Sequence, residues 1–272
     1  MTKTERYDHL ILEQLRQDGR ITVQRAAELL GVSESTVRRA FRRLWESEQV
    51  IQVYGGIKLA APQLAQYSFE AVEGQAIREK RRIAHHALSC IRDGDTIFLD
   101  SGTTLMQLAS LLAAALDEGR LSGLTVFTNS LANLKLLGGR TRVNLIGGEY
   151  RKARQDFCGY IAEETVRSLH FLRCFLGTDG YIPGTGFTTT DFLTARLNEL
   201  VLSCSSQRIV LADGSKFCTP AVVCYSRRQP VDLLITDRIP AEPVRASLEN
   251  AGTAWEVAAP FPDDASPIYT NC

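Results

Sequence analysis

The sequence predicts an α/β protein of two domains: a small N-terminal helix-turn-helix domain with a β-hairpin wing, followed by a doubly wound α/β domain with a mainly parallel sheet. A length of 272 residues suits about two domains of ordinary size. The first sixty residues carry three short helical patterns and a hairpin, and the remainder alternates strands with helices. The expected divisions are 1–60 for the first domain, 61–75 for a linker, 76–260 for the second domain and 261–272 for a tail.

The composition indicates a globular chain, with 44% hydrophobic and 23% charged residues. Apolar stretches such as Leu108 to Leu116 are too short to cross a bilayer, and the N-terminus lacks the apolar run of a signal peptide. We therefore expect a cytoplasmic protein. The seven cysteines are scattered, with no Cys-x-x-Cys pair. This pattern favours neither a disulfide framework nor a metal site, and we expect no cofactor.

Three helical patterns succeed one another near the N-terminus. Tyr7, Leu10, Ile11 and Leu15 recur at three- and four-residue steps, which places them on one helix face. A second pattern runs from Val23 to Leu30 and ends at Gly31, and a third begins three residues later. This punctuation is typical of a helix-turn-helix.

The third helix is predicted to have an apolar face and a basic face. Ser33 is expected to cap its start by accepting from the amide of Ser35 or Thr36. The apolar face is expected to contain Val37, Phe41, Leu44 and Trp45. The opposite face carries Ser35, Arg39, Arg42 and Arg43, with Thr36 and Arg38 on its flanks.

A hairpin is predicted between Val50 and Leu59, turning at Gly55 and Gly56, whose freedom at positive φ suits a tight turn. Net charge is zero overall, but residues 1–60 hold ten basic against eight acidic side chains. An isolated arginine run is usually a solvated face. Here the helix spacing, the turn, the cap and the hairpin agree, which favours binding to double-stranded DNA. The candidate contacts are Ser33, Ser35, Thr36, Arg38, Arg39, Arg42, Arg43, Tyr54 and Lys58.

The segment Ile21-Thr-Val-x-x-Ala-Ala-Glu-Leu-Leu-Gly-Val-Ser-Glu-Ser-Thr-Val-Arg-Arg39, with Tyr54-Gly-Gly56 after it, resembles the N-terminal winged helix of DeoR-family transcriptional regulators. The family usually has Asp-Leu directly after the paired arginines, whereas this chain has Ala40-Phe41. The resemblance implies an operator-binding protein.

The second domain is predicted to contain six strands, which alternate with helices and cover residues 96–99, 125–128, 143–146, 174–176, 209–211 and 233–235. Such alternation favours a mainly parallel sheet with both faces covered. The basic cluster Arg78 to Arg82 is expected to be the solvated start of a helix.

Ligands of open α/β sheets bind beyond the carboxyl ends of the strands. The segments that follow these strands are rich in glycine, hydroxyl and acidic residues, and one carries a lysine. If they converge, they form a pocket that fits a small phosphorylated polyol. The candidate residues are Asp100, Ser101, Gly102, Thr103, Thr104, Thr128, Asn129, Ser130, Gly147, Gly148, Gly177, Asp179 and Lys216. Taken singly, these residues could equally be a capped helix start, turn glycines and a surface lysine.

Six motifs in this region resemble the sensor domain of the DeoR family, which is similar in fold to ribose-5-phosphate isomerase and CoA transferases. They are Asp100-Ser-Gly-Thr-Thr104, Thr128-Asn-Ser130, Ile146-Gly-Gly148, Phe157-x-Gly159, Phe175-Leu-Gly177 and Ala212-Asp-Gly-Ser-Lys-Phe217. The family usually has an acidic residue where this chain has Thr194. The resemblance implies a repressor of carbohydrate genes that is controlled by a phosphorylated sugar or a related metabolite.

Two functions remain open at this point. The first is a DNA-binding regulator, expected to be a homodimer or homotetramer because paired operator half-sites match two-fold symmetry. The alternative is a sugar-phosphate isomerase-like enzyme with an accessory DNA-binding domain. Its base would have to be a carboxylate near the pocket, and Glu199 and Asp179 are the candidates. Neither has an obvious acid–base partner, so we expect no catalytic residue.

Overall fold

The computed structural model divides into two compact units, residues 1–66 and 67–272. Each unit has its own hydrophobic core. The described residues are 7–8, 10–12, 14–15, 20–46, 50–53, 55–59, 69–219 and 221–261. Tyr54 and the predicted tail beyond Phe261 lie outside the described residues.

The small unit combines helices with a three-stranded antiparallel sheet. Residues 7–8, 10–12 and 14–15 are helical, as the first pattern predicted. The other elements are β1 (Arg20–Thr22), α1 (Val23–Leu30), α2 (Glu34–Glu46), β2 (Val50–Val53) and β3 (Gly56–Leu59). The strand order is β1-β3-β2, so the predicted hairpin is extended by a third strand. This is a winged helix-turn-helix.

Local contacts fix the ends of α1. The hydroxyl of Thr22 accepts from the amide of Arg25 at 3.2 Å, which caps the start. At the other end Gly31 adopts φ 61°, and its amide donates to the carbonyl of Ala27. The resulting turn is short enough to place α2 directly after α1.

The core of the small unit confirms most of the predicted apolar face of α2. Val37, Phe41 and Leu44 are buried. Trp45 was expected on the same face, but it is 50% exposed. It follows Leu44 by one position, or about 100° around the helix, and this rotation carries a large side chain off the buried stripe. The Ser33 hydroxyl also differs from expectation, since it contacts the hydroxyls of Ser35 and Thr36 at 2.9 and 3.1 Å.

The large unit is built on a parallel sheet. Seven strands of the described chain form it, in the order β15-β14-β12-β9-β4-β5-β6, and every neighbouring pair is parallel. Their bounds are β4 (Thr96–Leu99), β5 (Thr125–Thr128), β6 (Arg142–Leu145), β9 (Phe171–Gly177), β12 (Ser205–Leu211), β14 (Leu233–Thr236) and β15 (Ala254–Val257). The edge strand β15 was missing from the predicted set.

Helices cover both faces of this sheet, as predicted. They are α3 (Phe69–Glu73), α4 (Ile77–Leu88), α5 (Thr103–Asp117), α6 (Leu131–Leu137), α7 (Tyr160–Arg167), α8 (Phe192–Ser203) and α9 (Val244–Asn250). Successive strand residues alternate between two hydrophobic clusters, which lie on opposite faces. Phe98, for example, joins the cluster of α7, α8 and α9, whereas Ile97 and Leu99 join that of α4, α5 and α6.

Shorter elements complete the large unit. A two-stranded hairpin is formed by β7 (Glu149–Arg151) and β8 (Asp156–Cys158), and a three-stranded antiparallel sheet by β10 (Gly180–Ile182), β11 (Gly186–Thr189) and β13 (Val223–Cys224). A 3-10 helix spans Gly214–Cys218. Helix α3 lies within the range predicted as a linker, and its Phe69 is buried. None of the helices in the described ranges has the length and hydrophobicity required to span a bilayer.

The strand order reverses between β4 and β9. From β4 the chain proceeds outward through β5 and β6, and it then returns to β9 and proceeds in the opposite direction through β12, β14 and β15. Such a reversal leaves a crevice at the carboxyl ends of the two central strands. The segment that begins at Asp100, directly after β4, and the end of β9 at Gly177 therefore meet at this crevice.

Candidate ligand cavity and nucleic-acid interface

The surface of α2 carries the residues predicted to contact DNA. Ser33, Ser35, Arg38, Arg39 and Arg42 are exposed. Thr36 and Arg43 are partly buried. The helix thus presents hydroxyl and guanidinium groups on the side opposite its buried stripe, which is the chemistry that reads base edges and phosphates.

Two of these arginines have acidic partners. Arg38 lies 3.5 Å from Glu34, one helical turn earlier, and both side chains are exposed. Arg43 makes a two-pronged ion pair with Asp8 in the first helical segment. For Arg39 and Arg42 no ion pair is found within the described residues. Of the two predicted wing residues, Lys58 lies in β3 opposite Arg20 and Ile51, and Tyr54 falls outside the described residues.

A cavity lies at the reversal of the strand order in the large unit. Eight of the predicted ligand residues line it: Asp100, Ser101, Gly102, Thr103, Thr104, Gly177, Asp179 and Lys216. Eleven further residues also line it that were not among the candidate residues: Val72, Lys80, Leu105, Arg154, Thr178, Thr189, Thr194, Asn198, Leu211, Ala212 and Asp213. The space between these side chains amounts to about 570 Å³ when the open solvent at its mouth is included.

One wall of the cavity is the N-terminus of α5. Gly102 precedes the helix with φ 116°, a conformation that favours glycine, and no side chain caps the helix start. The amides of the first turn have no carbonyl partner within the helix, and the helix dipole adds partial positive charge there. Thr103 and Thr104 in the same turn are buried and line the cavity. This wall suits an anion such as a phosphate.

Two lysines add positive charge to the cavity. Lys80 of α4 is buried, and its ammonium donates to the carbonyl of Val72 at 2.6 Å. Burial lowers the pKa of Lys80 to about 8, although the nearby carboxylate of Asp213 opposes this shift. Lys216 lies on the 3-10 helix and is partly buried. The expectation that the Arg78 to Arg82 cluster is simply solvated is therefore wrong for Lys80.

Asp100 is an acidic group within the same cavity, and it is 3% exposed. Its carboxylate accepts from the amides of Ser101 at 2.7 Å and Gly177 at 3.2 Å. Burial raises the pKa of Asp100 to about 7 despite these bonds, and the neighbouring carboxylate of Asp156 acts in the same direction. The cavity therefore contains a carboxyl group that titrates near neutral pH.

Ser101 links the cavity to a buried ion pair. Its hydroxyl donates to Oδ2 of Asp156 at 2.9 Å. Asp156 is completely buried and accepts from Nε and Nη2 of Arg151 at 2.8 and 2.7 Å. Arg151 also donates to Asp191 at 2.7 Å and to the hydroxyl of Thr194 at 2.8 Å. These bonds fix the start of α8 relative to the loop after β4.

Asp179 and Arg154 form a second ion pair at the cavity, 3.2 Å apart. Asp179 also accepts from the hydroxyl of Thr189 and from the amide and hydroxyl of Thr190. Burial alone would raise the pKa of Asp179, but Arg154 and these hydrogen bonds outweigh it and lower the pKa. Arg154 lies 3.0 Å from Asp191 as well. Asp179 is thus a structural carboxylate that remains charged.

Five predicted ligand residues do not line the cavity: Thr128, Asn129, Ser130, Gly147 and Gly148. The strands β5 and β6 that precede them lie on one side of the reversal, away from β9. Thr128 and Ser130 instead bond to protein groups, Thr128 to the carbonyl of Leu99 and Ser130 to the amide of Asn133. At Gly148 a Cβ would lie 2.4 Å from the carbonyl oxygen of Cys158, so its missing side chain allows close approach of β8.

Comparison with known proteins gives the family. A model of the DeoR C-terminal sensor domain matches residues 75–238, and a model of the DeoR-like helix-turn-helix domain matches residues 8–63. The chain is 30% identical over 242 residues to the lactose phosphotransferase system repressor of Staphylococcus epidermidis, a match that covers 87% of this chain and 93% of that protein. It is 31% identical over 232 residues to the HTH-type transcriptional repressor GlcR of Bacillus subtilis, covering 85% and 87%.

Among solved structures, the chain is similar to the ribose 5-phosphate isomerase from Plasmodium falciparum, with 20% identity, a TM-score of 0.39 and coverage of 52% of each chain. The family assignment does not depend on this similarity. It follows from the two domain models, which together match residues 8–63 and 75–238, and from the match to whole repressors. The chain belongs to the DeoR family of transcriptional regulators.

Proposed function

We propose that this protein is a repressor of a carbohydrate operon, that α2 binds operator DNA, and that a phosphorylated sugar in the cavity of the large unit controls this binding. One observation carries the proposal. A single chain joins an arginine-bearing recognition helix to a cavity whose wall is an uncapped helix N-terminus with two lysines nearby.

The DNA-binding half of the proposal is supported by the exposed face of α2. Ser35, Thr36 and Arg39 lie in the first half of the helix, where major-groove contacts with base edges are made in this motif. Arg42 follows one turn later and suits a phosphate contact. We propose that a homodimer or homotetramer presents two such helices to a two-fold symmetric operator.

The effector half is supported by the two kinds of groups in the cavity. The α5 N-terminus, Lys80 and Lys216 match a phosphate, and the buried polar side chains Asp100 and Asn198 match the hydroxyl or amino groups of a sugar. One relative is named for repression of a sugar phosphotransferase system. For the ligand to act on DNA binding, it must bind one conformational state more tightly than another.

The proposal is tested by isolating duplexes that the full-length protein selects from a random DNA pool and then measuring affinity by fluorescence anisotropy. We expect a specific sequence to be enriched, and a phosphorylated sugar to shift its apparent Kd. Enrichment of no sequence would exclude the repressor. Enrichment without an effect of any phosphorylated sugar would exclude the proposed control.

A second candidate function, isomerisation of a sugar phosphate, is favoured by one observation. Asp100 combines a position in the cavity with a pKa near neutrality, as a general base requires. The two carboxylates first considered fit less well. Glu199 lies outside the lining residues and pairs with Arg228 at 3.5 Å, and Asp179 is occupied by Arg154. Turnover of aldose and ketose phosphates, lost in Asp100→Asn, would establish this activity.

A further inference from the structure

Two buried polar side chains of the cavity are bonded to each other. Asp100 is 3% exposed and Asn198 of α8 is 1% exposed, and Nδ2 of Asn198 donates to Oδ2 of Asp100 at 3.4 Å. They therefore form one polar subsite, which is sheltered from bulk water. Both residues line the cavity, so a bound ligand can reach this subsite.

Asn198 contributes an unused acceptor to the subsite. Its Oδ1 atom is buried and has no hydrogen-bond partner among the described residues. Buried acceptors are nearly always paired, because leaving one unpaired costs free energy. A hydrogen-bond donor on the ligand would satisfy this oxygen.

Asp100 contributes a carboxylate for which no ion pair is found within the described residues. It accepts from the amide and hydroxyl of Ser101, from the amide of Gly177 and from Asn198. Arg154, which already pairs with Asp179 and Asp191, lowers the pKa of Asp100, whereas the like charge of Asp156 raises it. A cationic group on the ligand would supply the missing counter-charge.

A second polar group on this face of α8 is already bonded to the protein. Thr194 lies one turn before Asn198 and also lines the cavity. Its hydroxyl donates its one proton to Asp191 at 2.8 Å and already accepts from Arg151 at 2.8 Å. Among these two side chains of α8, Asn198 is therefore the one that carries an unused buried acceptor.

The charges around the cavity also favour a ligand that carries a positive group. Three basic side chains, Lys80, Arg154 and Lys216, face three acidic ones, Asp100, Asp179 and Asp213. The wall is thus formally neutral, whereas a phosphate brings a charge of about −1.5 to −2. An ammonium group on the same ligand makes the net charge of the ligand less negative and so closer to the neutral charge of the wall.

We infer that the effector is a phosphorylated amino sugar, whose phosphate lies at the α5 N-terminus with Lys80 and Lys216 and whose ammonium group donates to Asp100 and Asn198. This inference rests on the proposed effector cavity and narrows its ligand class. It makes Asp100 and Asn198 the residues that distinguish an amino group from a hydroxyl group.

Matched ligands test the inference directly. Glucosamine 6-phosphate and glucose 6-phosphate differ only at one carbon, and galactosamine 6-phosphate and galactose 6-phosphate form a second such pair. Calorimetric titration of the full-length protein should show that the amino member of at least one pair binds roughly tenfold tighter, because an ionic hydrogen bond is stronger than a neutral one. Equal affinity within both pairs, or no binding of either amino sugar phosphate, would overturn the inference.

Asp100→Asn removes the charge and keeps the shape of the side chain. We expect the preference for the amino member to fall to about twofold or less, with operator binding in the absence of ligand kept as evidence of folding. Asp117→Asn is the matched control, since this exposed aspartate pairs with Arg140 far from the lining residues. A full preference retained in Asp100→Asn would contradict the assignment.

The wild-type protein provides a second measurement that does not depend on a variant. The ratio of the two affinities should shrink between about pH 7.5 and about pH 5.5, as Asp100 takes up a proton. Comparing matched ligands cancels the titration of the phosphate they share, and the affinity of the amino member is corrected for the fraction of its amine that is protonated at each pH. The charged and titratable groups around Asp100 are Asp156, Arg154, Asp179, Asp213, Lys80 and Lys216. A ratio that stays constant over this range would also count against the inference.

Failure of the inference and failure of the proposed function are distinguishable. If glucose 6-phosphate or another neutral sugar phosphate binds and shifts operator affinity while the amino sugar phosphates do not, the amino group is wrong and the proposed function stands. If no phosphorylated sugar of either kind binds, both are wrong.

Discussion

Arg43 of α2 and Asp8 of the first helical segment form a two-pronged ion pair, with Nη2 2.8 Å from Oδ1 and Nε 3.3 Å from Oδ2. Both side chains are partly buried. The sequence pattern predicts both Arg42 and Arg43 as candidate DNA contacts. The structure instead gives Arg43 a role in joining two helices of the small unit, and it leaves Arg42 exposed.

Arg42→Ala is expected to lower the salt dependence of operator binding. Each phosphate contact releases counterions, so its loss should reduce the slope of log K against log salt by about 0.9 for each contact. Sequence preference should change little, because a phosphate contact carries no base information. Fluorescence anisotropy at several salt concentrations measures the slope.

Arg43→Ala serves as the comparison. We expect the salt slope to remain as in the wild type and the small unit to lose up to about 1 kcal/mol of unfolding free energy. A reduced slope in Arg43→Ala with an unchanged slope in Arg42→Ala would reverse the two assignments.

Lys216→Ala is expected to weaken the response to the effector and to leave operator binding intact, because its ammonium lies at the cavity of the large unit. The matched control is Lys135→Ala, an exposed lysine of α6 outside the lining residues. The readout is the concentration of phosphorylated sugar that gives a half-maximal change in DNA affinity. Equal values for Lys216→Ala and the wild type would remove Lys216 from the site.

Binding of inorganic phosphate should weaken as the pH rises through about 8, because burial lowers the pKa of Lys80 to about 8 and the ammonium is then lost. Lys80→Met should bind phosphate more weakly and without this step. Thermal shift at about pH 7 and about pH 9 measures both effects.

The stability of the ligand-free protein should show the opposite trend for the same group. Since the folded pKa of Lys80 lies below its ordinary value of 10.5, the unfolded chain binds more protons between about pH 8 and about pH 10.5. This lysine therefore adds stability as the pH rises across that window. Lys80→Met should abolish that contribution in denaturant melts, and an unchanged pH profile would contradict the burial of the ammonium.

Arg151→Met should strongly destabilise the large unit, by about 3–5 kcal/mol, because it leaves the buried carboxylate of Asp156 without its partner. Arg140→Met is the matched control, since Arg140 pairs with Asp117 at the surface and should cost less than about 1 kcal/mol. Urea unfolding of the large unit gives both values. Partial recovery on adding Asp156→Asn to Arg151→Met would attribute the loss to the unpaired charge.

Much of the fold could be predicted from local pattern alone. The period of 3.6 residues identified Val37, Phe41 and Leu44 as core residues, and all three are buried. The prediction that Trp45 is buried was wrong. One position beyond Leu44 lies at the edge of the apolar stripe, where the width of the partner surface decides whether a side chain is buried. The edge strand β15 was missed, since its burial alternates between exposed and intermediate and gives no continuous apolar run.

The cavity could be predicted only in part. The segments that follow parallel strands share one edge of the sheet, and this general rule correctly predicts that Asp100, Gly177 and Lys216 lie together. The order of the strands is set by tertiary packing, so the sequence could not show that the segments after β5 and β6 lie to one side. Lys80 was missed for a similar reason, because a basic cluster gives no sign that one lysine will turn inward towards Val72.

Helix α3 is held by two hydrogen bonds to residues at or next to the cavity. The amide of Phe69 donates to the carbonyl of Ala153 at 2.8 Å, next to Arg154, and the carbonyl of Val72 accepts from Lys80. Both Arg154 and Lys80 border the cavity, and α3 begins at the third residue of the large unit. Helix α3 is thus bonded to the side chain of Lys80 and to the backbone next to Arg154, two residues that line the proposed effector cavity. We expect amide hydrogen exchange in α3 to change when a ligand fills the cavity, and unaltered exchange would show that α3 does not respond to the ligand.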